Sequence, residues 1–232
     1  MAIRIHPTAQ VEDGVVLGDG TSVWDHVHIR HGANLGEQCI VGGKSYIAYD
    51  VQIGSRVKIN SNVYICNAVT LEDGVMVSAG TIFTNDRFPR ATTSDLKELR
   101  SSAPDEHTLS TLVRCGATIG AGAIIGCDLT IGRFAMVGMG TVVTRSVPDF
   151  HLVVGSPARS IGCVCRCGER LKKWADQPQD DDGIVACLAC GLKFEITGRQ
   201  VAELVPTPAS EPVGETISEK IADAIASGLS AA

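Results

Sequence analysis

Apolar residues recur at every sixth position of this chain. From Ile5 the step falls on Val11, Leu17, Val23, Ile29, Leu35, Val41, Ile47, Ile53, Ile59, Ile65, Leu71, Val77 and Phe83, and after a gap it resumes at Val113, Ile119, Ile125, Ile131, Val137 and Val143. A period of six is neither helical nor that of a plain strand. Gly or an acid often follows the anchor, as in Leu17-Gly18, Ile53-Gly54, Leu71-Glu72 and Ile131-Gly132. Such a repeat suits a flat-sided coil. Each short strand occupies one face, turns at a small-residue corner, points its anchor inward and pairs its backbone with the neighbouring coils. Three faces make a coil of about eighteen residues, and one coil alone cannot bury its own anchors. The pattern therefore predicts an all-β parallel β-helix of about seven coils over residues 1–160.

Two passages break the pattern. The first, residues 84–112, reads TNDRFPRATTSDLKELRSSAPDEHTLSTL; long unpatterned loops in compact domains are usually functional. The second follows Arg159, where Cys163-Val-Cys165-Arg-Cys167-Gly168 precedes Cys187-Leu-Ala-Cys190-Gly191. Two thiolate pairs, each closed by a glycine, suit a tetrahedral zinc ion. Cys165, Cys167, Cys187 and Cys190 are the expected ligands, with Cys163 as an alternative and unpaired buried thiols as the plain reading. Four thiolates leave no open position, so the Zn2+ would be structural, in a zinc-ribbon-like module over 161–200. Residues 201–232 form the last segment. Pro206, Pro208 and Pro212 mark a linker, and Ile217, Ile221, Ile225 and Leu229 give a short helix one apolar stripe.

Composition narrows the function. No run approaches the roughly 18 apolar residues of a membrane span, and MAIRIHPTAQ lacks a signal-like apolar core, so the reading is a cytoplasmic protein with no membrane partner. Five of the nine cysteines lie between 163 and 190, which fits metal binding in a reducing compartment. The net charge of −6 originates from Asp176 onward, where ten acids face three bases; the preceding part holds 17 bases and 16 acids. Nucleic acid is not the implied partner, while local arginines remain available for a small phosphorylated ligand.

The repeat resembles that of the hexapeptide acyltransferases. This resemblance implies a left-handed triangular prism, opposite to the usual crossover hand, and a homotrimer with active sites between adjacent subunits. The closing passage VVTRSVPDFHLVVGSPAR, residues 142–159, is similar to the terminal signature of acetyl-CoA-dependent members. It implies acetyl-CoA as co-substrate, with Gly120, Gly138, Gly140 and Thr141 beside the pantetheine arm and Arg145 and Arg159 near the phosphates, where guanidinium forks suit phosphate oxygens. Bare corner residues are the plain reading of the glycines, and His151 would line the coenzyme channel.

Most of the first 170 residues resemble the N-acetyltransferases of nucleotide-linked 3-amino-sugars, including those acting on UDP-2-acetamido-3-amino-2,3-dideoxy-glucuronate. The matching stretches are Ser22-Val23-Trp24 with His28-Ile29, Val57 to Val63, Val69 to Val75, and Phe83-Thr84-Asn85 with Pro89-Arg90. The resemblance implies that Asn85 holds the acceptor amine beside the thioester and that Arg90 contacts the sugar or its nucleotide. It also places His28, Asn60 and Asn62 at the nucleotide-sugar, in a pathway to a surface polysaccharide. It departs at Asp25-His26, at Asn60-Ser61 and over 92–109. The plain alternative is that Asn85-Asp86 simply initiates the loop, with Arg90 in an extended turn.

An amine flanked by electron-withdrawing carbons needs no protein base, whereas a hydroxyl does. His107 is the candidate base in that case. Rival expectations are O-acetylation of a sugar or serine, and a non-catalytic β-helix that binds metal or a partner.

Overall fold

The computed structural model describes residues 2–204. Two-residue strands repeat along the chain and stack in parallel into three sheets, the faces of a triangular prism. Face 1 carries Ile5, Val23, Val41, Ile59, Val77, Ile119, Val137 and Val153; face 2 carries Val11, Ile29, Ile47, Ile65, Phe83, Ile125 and Val143; face 3 carries Leu17, Leu35, Ile53, Leu71, Val113 and Ile131. Strand register is eighteen residues per coil, for example Val23 against Val41 and Ile47 against Ile65. The architecture is the expected β-helix, with seven coils and the start of an eighth at Val153.

The anchors form one continuous apolar core. Each buried Ile or Leu contributes about 1.5–3 kcal/mol. The first coil is the exception. Ile5 is 47% exposed, because that coil has a neighbour on one side only.

Most corners turn through a residue of positive φ three places past the anchor. At the face 1–face 2 corner these are His26, Lys44, Asn62, Gly80, Gly122 and Gly140. Asn tolerates this left-handed conformation better than most side chains. Asn62 is thus an exposed turn residue of the prism.

The end of the prism continues into the cysteine-rich segment. Strand His151–Val154 pairs antiparallel with Arg159–Val164, which pairs with Arg170–Lys173, extending face 1 beyond the last coil. Position 160 lies within the middle strand, so no linker separates prism from module. A three-stranded antiparallel sheet follows: Gly183–Ala186, Lys193–Thr197 and Gln200–Glu203. Phe194 is fully buried and meets Phe150 edge-on at 5.3 Å, and Phe150 stacks on Phe134 at 5.6 Å. These rings join the module to the prism. The expected terminal helix lies outside the described residues.

Candidate active site

At the corner between faces 2 and 3, positions two past the anchors align along the axis: His31, Tyr49, Asn67 and Asn85. His31 stacks on Tyr49 with ring centres 5.6 Å apart. One coil further, Asn85 Nδ2 donates to Asn67 Oδ1 at 2.5 Å. Asn67 is 9% exposed and Asn85 is half-buried.

The insertion leaves the prism immediately after Asn85 and returns at Thr111, which resumes the face 3 sheet. Its base is closed by Leu109 N donating to Asn85 O at 2.8 Å and by a bridge between Asp86 and Thr108. Arg87 pairs with Asp128 on the next coil. The loop walls a cavity of about 330 Å³ lined by Asn67, Asn85, Asp86, Arg90, Arg100 and Asp105 among others. That lies at the small end of ligand pockets, enough for a sugar-sized group but not for a whole nucleotide-sugar. Arg100 is held by the Phe88 carbonyl and lies 3.6 Å from Asp105. Arg90 donates only to the neighbouring Pro89 carbonyl and has no acidic partner among the described residues. The structure thus brings Asn85 and Arg90 to one cavity.

His107 stands apart. Its ring packs edge-on against Phe88 at 6.0 Å, and it does not line the cavity. Asn60 is elsewhere too, at the face 1–face 2 corner. There it lines a second cavity of about 430 Å³ with Trp24, Asp25, Gly42, Gly43 and Ser61. Asn62, beside it in sequence, does not contribute to that lining.

His28 projects from face 2, between the two cavities. Its Nε2 lies 2.8 Å from Glu12, whose carboxylate also forms an ion pair with Arg30 Nε at 2.6 Å and accepts the His31 backbone N–H at 2.9 Å. That backbone bond, with the His and Arg contacts behind it, holds the Glu12 carboxyl well below the usual range. His28 is therefore already engaged. Below it on the same face run Tyr46, Tyr64, Ile82, Ile124 and Val142; Tyr64, Ile82 and Ile124 are 40–45% exposed.

The residues that the resemblance would place beside a coenzyme lie in the last coils. Gly120 and Gly138 are packed close: a Cβ on Gly120 would meet the Gly138 and Met139 backbone at 2.6 Å, and one on Gly138 would meet Val154 at 2.7 Å. Gly140 turns the corner with φ +65°. Thr141 is fully buried and its carbonyl accepts the Ile124 N–H at 2.9 Å, so within one chain it does not reach the surface. Arg145 and Arg159 are exposed, without acidic partners among the described residues.

His151 has a different neighbourhood from the one expected. It is 7% exposed, its Nε2 lies 2.9 Å from the Arg199 carbonyl and its Nδ1 lies 2.8 Å from Ser160 Oγ. Trp174 Nε1 donates to the same Ser160 oxygen at 2.8 Å. The bonds form one directed chain: indole to hydroxyl, hydroxyl to Nδ1, Nε2–H to carbonyl. Only neutral imidazole completes it, and burial pushes the His151 pKa down. Arg199 also binds the fully buried Asp181 carboxylate at 2.8 Å. Burial raises the Asp181 pKa, but the Ala175 N–H and Arg199 outweigh it and leave it lowered.

In the module, the sulfurs of Cys165, Cys167, Cys187 and Cys190 all lie within 4.8 Å of one another, with Cys165–Cys190 at 3.4 Å and Cys167–Cys187 at 3.6 Å. These spacings exceed the ~2.05 Å of a disulfide. They match the roughly 3.8 Å edge of a tetrahedron with 2.3 Å zinc–sulfur bonds. The donor set fits zinc. The backbone N–H of Cys190, then that of Ala189, lowers the Cys187 thiol to about 7. Cys163 lies outside the cluster, buried in its strand, where burial raises its thiol to about 11.

The chain is a hexapeptide-repeat β-helix with one long insertion that walls a polar cavity. No family model matches it. It is 37% identical over 95 residues to dTDP-3-amino-3,6-dideoxy-alpha-D-galactopyranose 3-N-acetyltransferase of Aneurinibacillus thermoaerophilus, covering 41% of this chain and 45% of that one. It is 40% identical over 55 residues to the acyl-[acyl-carrier-protein]–UDP-N-acetylglucosamine O-acyltransferase of Brucella ovis, covering 24% of this chain and 20% of that one. The chain thus spans less than half the length of these curated relatives. Among solved structures, AntD, an N-acyltransferase from Bacillus cereus in complex with dTDP and 3-hydroxybutyryl-CoA, aligns with TM-score 0.42 and 21% identity over 71% of this chain and 81% of that one. The acetyltransferase domain of PglB from Neisseria gonorrhoeae, in complex with acetyl coenzyme A, aligns with TM-score 0.43 and 21% identity over 68% and 57%.

Proposed function

We propose that the protein is an acetyl-CoA-dependent N-acetyltransferase acting on the 3-amino group of a nucleotide-linked sugar. The observation that carries this reading is the Asn85 amide, held by Asn67 in the lining of a cavity that also contains the Arg90 guanidinium, which has no acidic partner among the described residues. A thioester is already activated. The protein must therefore place the amine about 3–3.5 Å from the carbonyl and stabilise the developing oxyanion. Asn85 Oδ1 accepts an N–H of the acceptor and so aims the nitrogen lone pair at the carbonyl. The C–N bond forms, the C–S bond breaks, and coenzyme A leaves as a thiol with the proton that the nitrogen releases. The position of His107 outside the cavity favours an amine over a hydroxyl acceptor.

The sugar occupies the Asn85 cavity, with Arg90 on its carboxylate or phosphate. The nucleotide extends to Asn60 and Trp24, and coenzyme A lies along the last coils with Arg145 and Arg159 at its phosphates. Asn85 and Asn60 lie at different corners of one chain, so this arrangement needs a second copy. The half-exposed column on face 2 lies between the two cavities and supports a homotrimer whose subunits share each site. Cys165, Cys167, Cys187 and Cys190 hold a structural zinc ion that fastens the end of the prism. The enzyme works in the cytoplasm on a precursor of a surface polysaccharide. The resemblance points to a UDP-linked sugar, and the relative from A. thermoaerophilus is named for a dTDP-linked one.

Asn85→Ala tests the assignment. Turnover falls by about tenfold or more with the oligomer intact, as expected for a lost positioning contact. Unchanged turnover overturns the role of Asn85.

A further inference from the structure

We propose that Asn67 is a positioning residue that fixes which end of the Asn85 amide faces the acceptor; this rests on the acetyl-transfer reading above. Asn67 occupies the position of Asn85 one coil earlier, eighteen residues back, about 4.8 Å along the axis. Its Oδ1 takes the Nδ2–H of Asn85 at 2.5 Å, and its backbone carbonyl lies 3.5 Å from the same nitrogen. Both neighbours of that nitrogen are acceptors. The Asn85 amino group is therefore committed to Asn67, and Oδ1 is the end left for the cavity. An amide presents either a donor or an acceptor, and the choice has opposite chemical effects here. Oδ1 takes an N–H from the acceptor and leaves its lone pair free for attack. A reversed amide would donate to that lone pair and block it.

The position suits this task. Asn67 is 9% exposed, beside Cys66, which is also buried, so its amide is shielded from competing water. It lines the same cavity as Asn85 but lies one coil further from the insertion. Its bond to Asn85 is the contact through which it orients the amide toward the acceptor.

Three variants separate the possibilities: Asn67→Ala, Asn67→Asp and Asn85→Ala. Each is assayed for kcat and for KM of acetyl-CoA and of the amino-sugar nucleotide. A carboxylate only accepts, so Asn67→Asp preserves the Asn85 orientation. Asn67→Ala is expected to lower kcat by about tenfold to a hundredfold, with KM for acetyl-CoA within about twofold. Asn67→Asp is expected to stay within about threefold of wild type. A dead Asn67→Asp, or an Asn67→Ala with wild-type kcat, overturns the inference. If Asn85→Ala is itself fully active, the acetyl-transfer role of Asn85 fails instead. Should Asn67→Ala not fold, the Asn67→Asp result decides alone.

Discussion

Acidification should loosen the joint between prism and module through one residue, His151. Its two ring nitrogens are both occupied, Nε2 by the Arg199 carbonyl at 2.9 Å and Nδ1 by Ser160 at 2.8 Å. The bond chain that starts at Trp174 requires Nδ1 to accept. Protonation turns Nδ1 into a donor, strands the Ser160 hydroxyl hydrogen and puts a cation in a site that is 7% exposed, near Arg199. One buried polar group left unsatisfied costs about 1–3 kcal/mol. In a chain of this size that is a fall of roughly 2–12 °C in Tm. The sign follows from the lowered pKa. The unfolded chain, titrating near 6.5, binds the proton before the folded one does. Stability is thus complete above about pH 6.5 and declines as pH falls toward the folded value. His151→Gln supplies the control. The Gln amide still donates to the Arg199 carbonyl but never titrates. Thermal unfolding of zinc-loaded protein between pH 5 and 8 should show the variant about 1 kcal/mol weaker at pH 8 and level with wild type or better at pH 5. Parallel curves for the two proteins would show that His151 is not the group whose protonation weakens the fold.

Cys190→Ser should reduce bound zinc to well under one ion per chain and expose the module to protease while the prism's β signal persists; a full zinc complement would remove Cys190 from the ligand set. Tyr64→Glu places a charge in the half-exposed apolar column of face 2. It should dissociate the proposed trimer and abolish turnover together, read by light scattering and thiol release, whereas an intact active oligomer would place the interface elsewhere.

The prism was legible because its determinant is local and repeated. An anchor such as Ile65 names both its face and, eighteen residues away, its neighbours Ile47 and Phe83. The clustering of Cys165, Cys167, Cys187 and Cys190 was legible from knuckle spacing, and Cys163 lies outside that cluster. Asn67 went unread. It falls outside the anchor series, although adding one coil to it gives Asn85. His151 was misplaced for the opposite reason: its main partner, Arg199, is 48 residues away in a module without the six-residue period. His28 shows a third limit, since residue type indicates a ligand, but the Glu12 carboxylate that occupies it belongs to the previous coil. The interior of the insertion is set by contacts such as Arg100 with Asp105, for which the sequence carries no period.

The central claim is the transfer itself. The most direct measurement is thiol release from acetyl-CoA by the purified protein with UDP- and dTDP-linked 3-amino, 4-amino and hydroxyl sugars, with product masses checked. Thiol release is expected with one or more nucleotide-linked 3-amino sugars, each product heavier by one acetyl group. Silence on every amine, with acetylation of a hydroxyl sugar, would contradict it.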